Sequence, residues 1–349
     1  MDRRRCGFNS NLKEDSAVIM SNLYLVNISG KLEYEPNRKG FGKGLLEAGK
    51  RWENVVAACA DLTDSTQISL FRDEFPERFI EIGVAEQNLV TVGSGLAAMG
   101  KIPFVSSYAA FSPGRNWEQI RTTICLNDRP VKIIGAHSGL YTGKDGATHQ
   151  MLEDIALMRV LPNMVVIAPC DILEAEKAAL AMAADKRPNY MRLAREALPI
   201  LTTAKTPFEI GPAYIYERGE DVTIIATGTM TYRALEAAQV LFKDGISAEV
   251  LHVPTIKPLD KKTILKSVRK TGAVVTIEEG QIIGGLGGAI AELLGEEHPV
   301  PLKRIGMRDH FGESGSPDEL LEHFGLDAKH IRLAAHEVIA KKSQSTDVK

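Results

Sequence analysis

The chain has 349 residues, 44% hydrophobic and 25% charged, a balance that fills sizeable cores and excludes general disorder, and its length suits two domains. Forty-two Lys and Arg against 45 Asp and Glu leave a formal net charge of −3, which gives no basic footprint for nucleic acid or an anionic membrane. No apolar run reaches the roughly 20 residues of a membrane-spanning helix, and Cys6, Cys59, Cys125 and Cys170 lack CxxC spacing, so a small-molecule substrate in a reducing cytoplasm is expected.

Residues 1–30 read as a disordered extension. Met1 to Ile19 is polar, carries Arg3-Arg4-Arg5 together with Glu14 and Asp15, and lacks the apolar core of a signal peptide; Met20 offers an alternative start. From Asn54 to Leu193 short apolar runs alternate with helical patterns. Val55 to Ala58, Ile102 to Ser106, Val131 to Ala136, Met164 to Ala168 and Tyr190 to Leu193 read as buried parallel strands, because period-two polarity is missing. Ala85 to Met99, Asn116 to Leu126 and Asp171 to Ala184 carry helical spacing. The alternation predicts a doubly wound α/β domain over 31–201. Residues 202–212, rich in Thr, Pro and Gly, read as a linker. Strands at Val222 to Ala226, Ala248 to Val253 and Ala273 to Ile277 alternate with helices around Tyr232 to Phe242 and Lys261 to Lys270. They predict a smaller α/β domain over 213–340, followed by a disordered tail at 341–349.

Three segments concentrate unusual residues. The densest, Gly135 to Gln150, leaves the C-terminal end of a predicted strand, where open α/β sheets place ligand sites. Its glycines allow tight turns, and His137, Asp145 and His149 offer hydrogen-bonding and proton-transfer groups. It is no phosphate loop: Gly139 to Asp145 is one residue short of GxxxxGK(S/T) and has Asp145 where the magnesium-binding hydroxyl belongs. Gly284-Gly285-Leu286-Gly287-Gly288 fails the GxGxxG spacing at Ile290 and reads as close helix packing. Glu81 to Asn88 enters a helix with Glu86 in its first turn, where a carboxylate also suits the helix dipole. Taken singly, each segment stays open to a structural reading.

Together they are specific. Gly83-Val84-Ala85-Glu86-Gln87-Asn88, Ser106-Ser107-Tyr108-Ala109-Ala110-Phe111, Gly135-Ala136-His137 and Lys144-Asp145-Gly146-Ala147-Thr148-His149 occur in that order with matching spacing. They resemble the pyrimidine-binding and C-terminal domains of transketolases, from around Arg38 to the C-terminus. The resemblance implies thiamine diphosphate as cofactor and transfer of a two-carbon ketol unit from a ketose phosphate to an aldose phosphate. Glu86 matches the family's activating glutamate. A carboxyl group shielded from water and hydrogen-bonded to pyrimidine N1′ stabilises the tautomer in which the cofactor's 4′-amino group is basic, which asks for a raised pKa. Tyr108 and Phe111 match the aromatic positions that pack against the aminopyrimidine ring. His137, Asp145 and His149 resemble the residues that hydrogen-bond the ketose hydroxyls and help to move protons. Arg38, Ser65 and Arg195 resemble the sugar-phosphate contacts, for which guanidinium groups are suited. Lys144 departs from the acid that many family members carry there.

The family grips the diphosphate through Mg2+ on a GDG motif and a later Asn. Here Asp145-Gly146 follows Lys144 and Asp244-Gly245 follows Lys243, so the motif is missing. The Mg2+ ligands are therefore expected from an N-terminal transketolase subunit, in a heterotetramer with large apolar interfaces, and negligible cofactor affinity is expected of this chain alone. Half of a 1-deoxyxylulose-5-phosphate synthase is the nearest rival, disfavoured by His137. The β subunit of a 2-oxo acid dehydrogenase should lack the DGxTH loop. Against a regulatory or structural subunit that keeps the fold stand Glu86, both aromatics and all three loop residues.

Overall fold

The computed structural model describes residues 18–19 and 24–346. Runs of Val, Ile and Ala become strands buried along their whole length, because helices cover both faces of the sheets they form. In chain order the strands are β1 Val18–Ile19, β2 Tyr34–Glu35, β3 Val55–Cys59, β4 Phe79–Glu81, β5 Ile102–Tyr108, β6 Lys132–Ala136, β7 Val165–Ile167 and β8 Asn189–Arg192. There follow β9 Leu198–Pro199, β10 Tyr214–Glu217, β11 Val222–Ala226, β12 Ala248–His252, β13 Thr255–Lys257, β14 Val274–Gln281 and β15 Leu302–Met307.

The first sheet runs β13-β7-β8-β6-β5-β3-β4, the second β1-β10-β12-β11-β14-β15, and β2 pairs with β9 alone. The first is parallel except where β13 joins β7. The second is parallel except between β10 and β12. This is the expected α/β class with two wound sheets. Strand β13 departs from a simple two-unit reading: it follows β12 of the second sheet but completes the edge of the first.

Three buried clusters follow from the apolar runs, and the third holds residues of both sheets, among them Val105, Ile133, Ile225 and Leu251. Val55, Phe104, Ile134 and Val165 meet Phe41, Leu45 and Ala178 in the first. In the second, Ile224, Val250 and Val275 meet Ala234, Leu241 and Ile331.

Two expectations about the ends need correction. Residues 24–30 are part of the fold: Val26 N–H donates to Leu201 O at 2.8 Å and Leu25 bridges Thr202. Tyr24, Leu25 and Ile28 pack on the second core, and that burial offsets the loss of chain freedom. Val18–Ile19 adds an edge strand. The rest of the 1–30 extension, Met20 included, lies outside the described residues. At the other end the helix Ala328–Thr346 runs into the expected 341–349 tail, where Lys341 pairs with Glu337 at 2.8 Å and Lys342 Nζ donates to Thr271 O at 2.7 Å. Residues 203–213 form neither helix nor strand. They are nonetheless held, since Lys177 Nζ donates to Thr203 O and Thr206 O at 2.8 and 2.6 Å.

Candidate active site

Chemistry-bearing residues leave the first sheet on one edge. Ser65 lies beyond β3, Glu86 beyond β4, Tyr108 ends β5, His137 follows β6 and Arg195 lies beyond β8. These strands are mutually parallel, so their carboxyl ends share the side on which open α/β sheets bind ligands.

Glu86 opens the helix Glu86–Ala98 and is 1% exposed. Its Oε2 accepts from Arg115 Nη1 at 2.7 Å, and its carbonyl accepts from Asn116 Nδ2 at 2.8 Å. The Arg115 side chain is 51% exposed, and its guanidinium lies 4.9 Å from the Phe111 ring centre. Neither Arg115 nor Asn116 stands out in the sequence, where both lie in an unremarkable turn four and five residues after Phe111.

Tyr108 and Phe111 stack with ring centres 6.1 Å apart and planes at 26°. The His137 ring lies 3.9 Å from Tyr108. His149 meets Tyr108 and Phe111 edge-on at 6.2 and 5.5 Å, and Thr148 Oγ1 lies 2.9 Å from its Nδ1. His137 is buried at φ +55°, a left-handed conformation that costs on the order of 1–3 kcal/mol for a residue with a side chain. Burial first, then the positive charges of Arg38 and Arg195, push its pKa down to about 3. The imidazole is therefore neutral at pH 7, and its Nδ1 has no hydrogen-bond partner. An unpaired buried nitrogen is unfavourable, a penalty that a ligand hydroxyl would remove.

The cationic residues converge beside these rings. Arg38 donates from Nη1 to Ser65 O at 2.5 Å and from Nε to Arg195 O at 3.3 Å. Arg195 Nη1 donates to Asp145 Oδ1 at 2.8 Å and to Thr142 O at 3.2 Å. Burial lowers the Arg38 pKa, and the neighbouring Arg195 charge adds to that effect, so the pair favours an anion between them. Ser65 meets Arg38 through its backbone carbonyl. All nine sequence-derived residues thus fall in one region, linked through Arg115, Phe111, the two histidines and the arginine pair.

The second unit shapes the loop that carries His137 to His149. Tyr141 N–H donates to Glu279 Oε1 at 2.6 Å, and Gln150 Nε2 donates to Gly143 O and Glu313 O at 2.9 and 2.8 Å. Arg192 joins Asp154 Oδ1, at 2.7 Å, to the Glu279 carbonyl. Gly139 has φ +71°, and a Cβ there would come within 2.3 Å of Glu279 Oε1, so glycine is dictated by both backbone and space. None of Glu279, Gln150 or Asp154 is legible as a loop support from sequence, because their partners are distant in the chain.

Thiamine diphosphate fits this donor set at its ring end: a buried acid, two stacked aromatic rings and an unpaired imidazole nitrogen lie together. Among the described residues one group has metal-ligand proximity, Cys170 with Glu174 and His252. Its atoms are already engaged. Glu174 Oε2 lies 2.9 Å from His252 Nε2 and accepts from Cys170 N at 2.7 Å, and Thr231 Oγ1 lies 2.8 Å from His252 Nδ1. Burial pushes the Cys170 thiol well above its usual range, the wrong form for a metal ligand. This cluster joins the two sheets through hydrogen bonds.

The transketolase pyrimidine-binding domain model matches residues 36–200 and the transketolase C-terminal domain model residues 211–331. A protein of Methanocaldococcus jannaschii described as a transketolase C-terminal section is 46% identical over 321 residues, 91% of this chain and 100% of that protein. The 6-deoxy-6-sulfo-D-fructose transketolase subunit of Clostridium sp. (strain MSTE9) is 44% identical over 313 residues, covering 90% of this chain and 97% of its own length. Among solved structures, a split-gene transketolase described as an inactive beta4 tetramer superposes with a TM-score of 0.83 at 44% identity, over 88% of this chain and 99% of that one. The chain belongs to the transketolase family and corresponds to its C-terminal section.

Proposed function

We propose that this chain supplies the pyrimidine half of a thiamine diphosphate site. Joined to an N-terminal transketolase subunit that brings the GDG motif and the Mg2+ ligands, it transfers a two-carbon ketol unit from a ketose phosphate to an aldose phosphate. The observation that carries the reading is the buried Glu86 carboxylate beside the stacked Tyr108 and Phe111 rings. When bound, the cofactor supplies the carbanion chemistry of ketol transfer. Glu86 holds a proton at pyrimidine N1′, and the two aromatics fix the ring plane, an effect of about 0.5–1.5 kcal/mol beyond simple burial.

His137 accepts or donates a hydrogen bond as a neutral imidazole, and His149 and Asp145 pair further sugar hydroxyls. Such pairing discriminates, because a substrate lacking the hydroxyl leaves buried polar groups unsatisfied. Arg38 and Arg195, with Ser65, receive the anionic end. The sulfo group in the name of the Clostridium relative is also an anion, and two guanidinium groups suit either a sulfonate or a phosphate. Residues 31–201 form the pyrimidine-binding domain, 202–212 the linker and 213–340 the C-terminal domain in this reading, and the assembly is a cytoplasmic heterotetramer.

Co-expression with a GDG-bearing N-terminal subunit tests it. The expected result is ketol exchange between ketose and aldose phosphates in the complex, with no turnover by this chain alone. Pyruvate-dependent condensation or decarboxylation in its place would overturn the reading in favour of a synthase or dehydrogenase.

A further inference from the structure

We propose that Arg115 is a positioning residue of this site: its guanidinium bridges the Glu86 carboxylate and the Phe111 ring and sets their mutual register for the incoming pyrimidine. The proposal rests on the reading of Glu86 given above and goes one step beyond it.

The guanidinium touches both groups that the pyrimidine has to meet, Glu86 Oε2 at 2.7 Å and the Phe111 ring at 4.9 Å. A carboxylate has two oxygens with about four lone-pair directions, so an arginine on Oε2 leaves the acid able to accept from a ring nitrogen. Its planar fork can stack on an aromatic face while it donates at its edge, which an ammonium group cannot do. An exposed ion pair is ordinarily worth little. Here the acceptor is 1% exposed, so the bond is charge-assisted at a buried atom. The turn itself does not depend on this contact. Asn116 Nδ2 anchors it to Glu86 O and Ser112 Oγ, at 2.8 and 3.1 Å, and Arg115 N–H donates to Phe111 O at 2.9 Å. The Arg115 side chain is thus spare for the fold and placed for the ligand.

Arg115→Met and Arg115→Lys in the reconstituted complex provide the test, read as the thiamine diphosphate concentration for half-maximal activity, kcat and its pH profile. Arg115→Met is expected to raise the half-saturating concentration about tenfold, the effect of losing one hydrogen bond to a charged group, and to displace the acid limb of the kcat profile. Arg115→Lys, which keeps the charge but not the stacking, is expected to recover part of both. Unchanged half-saturation and pH profile in Arg115→Met, including the case in which only the amplitude of kcat falls, would overturn the proposal. Glu86→Gln measured alongside separates the two levels. Full turnover in that variant defeats the reading of the acid itself, whereas loss of turnover there with a silent Arg115→Met defeats only the role of Arg115.

Discussion

At Arg195 a single guanidinium serves two neighbours, donating to Asp145 Oδ1 at 2.8 Å and to Thr142 O at 3.2 Å, while the backbone carbonyl of the same residue accepts from Arg38 Nε. Removing the guanidinium leaves Asp145 without its cation and, in the proposed site, takes away one of the two guanidinium groups offered to an anionic substrate. Arg195→Ala in the complex should raise KM for the sugar phosphate by about ten- to a hundredfold, the range of one or two charged hydrogen bonds, with a much smaller change in kcat; a KM equal to that of the parent complex would contradict the placement. Residues of this kind were legible because their types are unusual in their segments: an acid at a helix start, two aromatics after a strand, and two histidines and an aspartate among glycines. Arg115 was not legible. One arginine in a turn carries no periodicity or motif, and only the folded backbone brings it across 29 positions of sequence to Glu86.

At the scale of elements, strands inside continuous apolar runs were readable, the three-residue β7 within Met164 to Ala168 included, and pieces without such a run or rich in glycine were not. Strands β4 and β13 are three residues long and each includes a charged residue, Glu81 or Lys257, so no apolar run marks them. The helix Asn37–Arg51 holds Gly40, Gly42, Gly44 and Gly49, a composition with poor helix propensity. Its packing on the helix Ile172–Ala184 explains the contradiction. A Cβ at Gly40 would lie 1.9 Å from Ile172 O, and one at Gly44 would lie 2.4 Å from Glu176 O and 2.8 Å from Ala179 Cβ. Backbone contact at that range pushes the helices apart if a methyl group is added. Gly44→Ala is therefore expected to destabilise by about 1–3 kcal/mol, as overpacking does, despite alanine's better propensity. A raised melting temperature in that variant would show that the helices do not touch there. Arg38, on the same helix, should lose alignment with Arg195 as well.

Across the whole molecule, buried polar groups join the sheets at places that composition cannot reveal. The Glu174 and His252 pair, the Glu279 carboxylate on Tyr141 N–H and strand β13 all bind one unit to the other. Glu278 is one pH-sensitive acid, its side chain buried at the start of the helix Leu286–Glu297, where it accepts from Leu286 N and Gly287 N at 2.8 and 2.7 Å. Burial outweighs those donors and pushes its carboxyl up from 4.5 to about 7. With the folded pKa above the unfolded one, the folded chain binds more protons between these values. The stability contribution is fully present below pH 4.5 and is lost as pH rises through about 7. It amounts to about 3 kcal/mol at 1.36 kcal/mol per pKa unit. Glu278→Gln should flatten the fall in melting temperature between about pH 5 and 8, and an equally steep fall in the variant would assign that slope to other groups.

The role of the acid at position 86 is tested most directly by turnover of the reconstituted complex carrying Glu86→Gln, at saturating thiamine diphosphate and Mg2+. The expected result is a correctly assembled complex with the melting temperature of the parent and ketol transfer reduced by about a hundredfold or more, the scale of general acid–base assistance. Ketol transfer at the parent rate would contradict it.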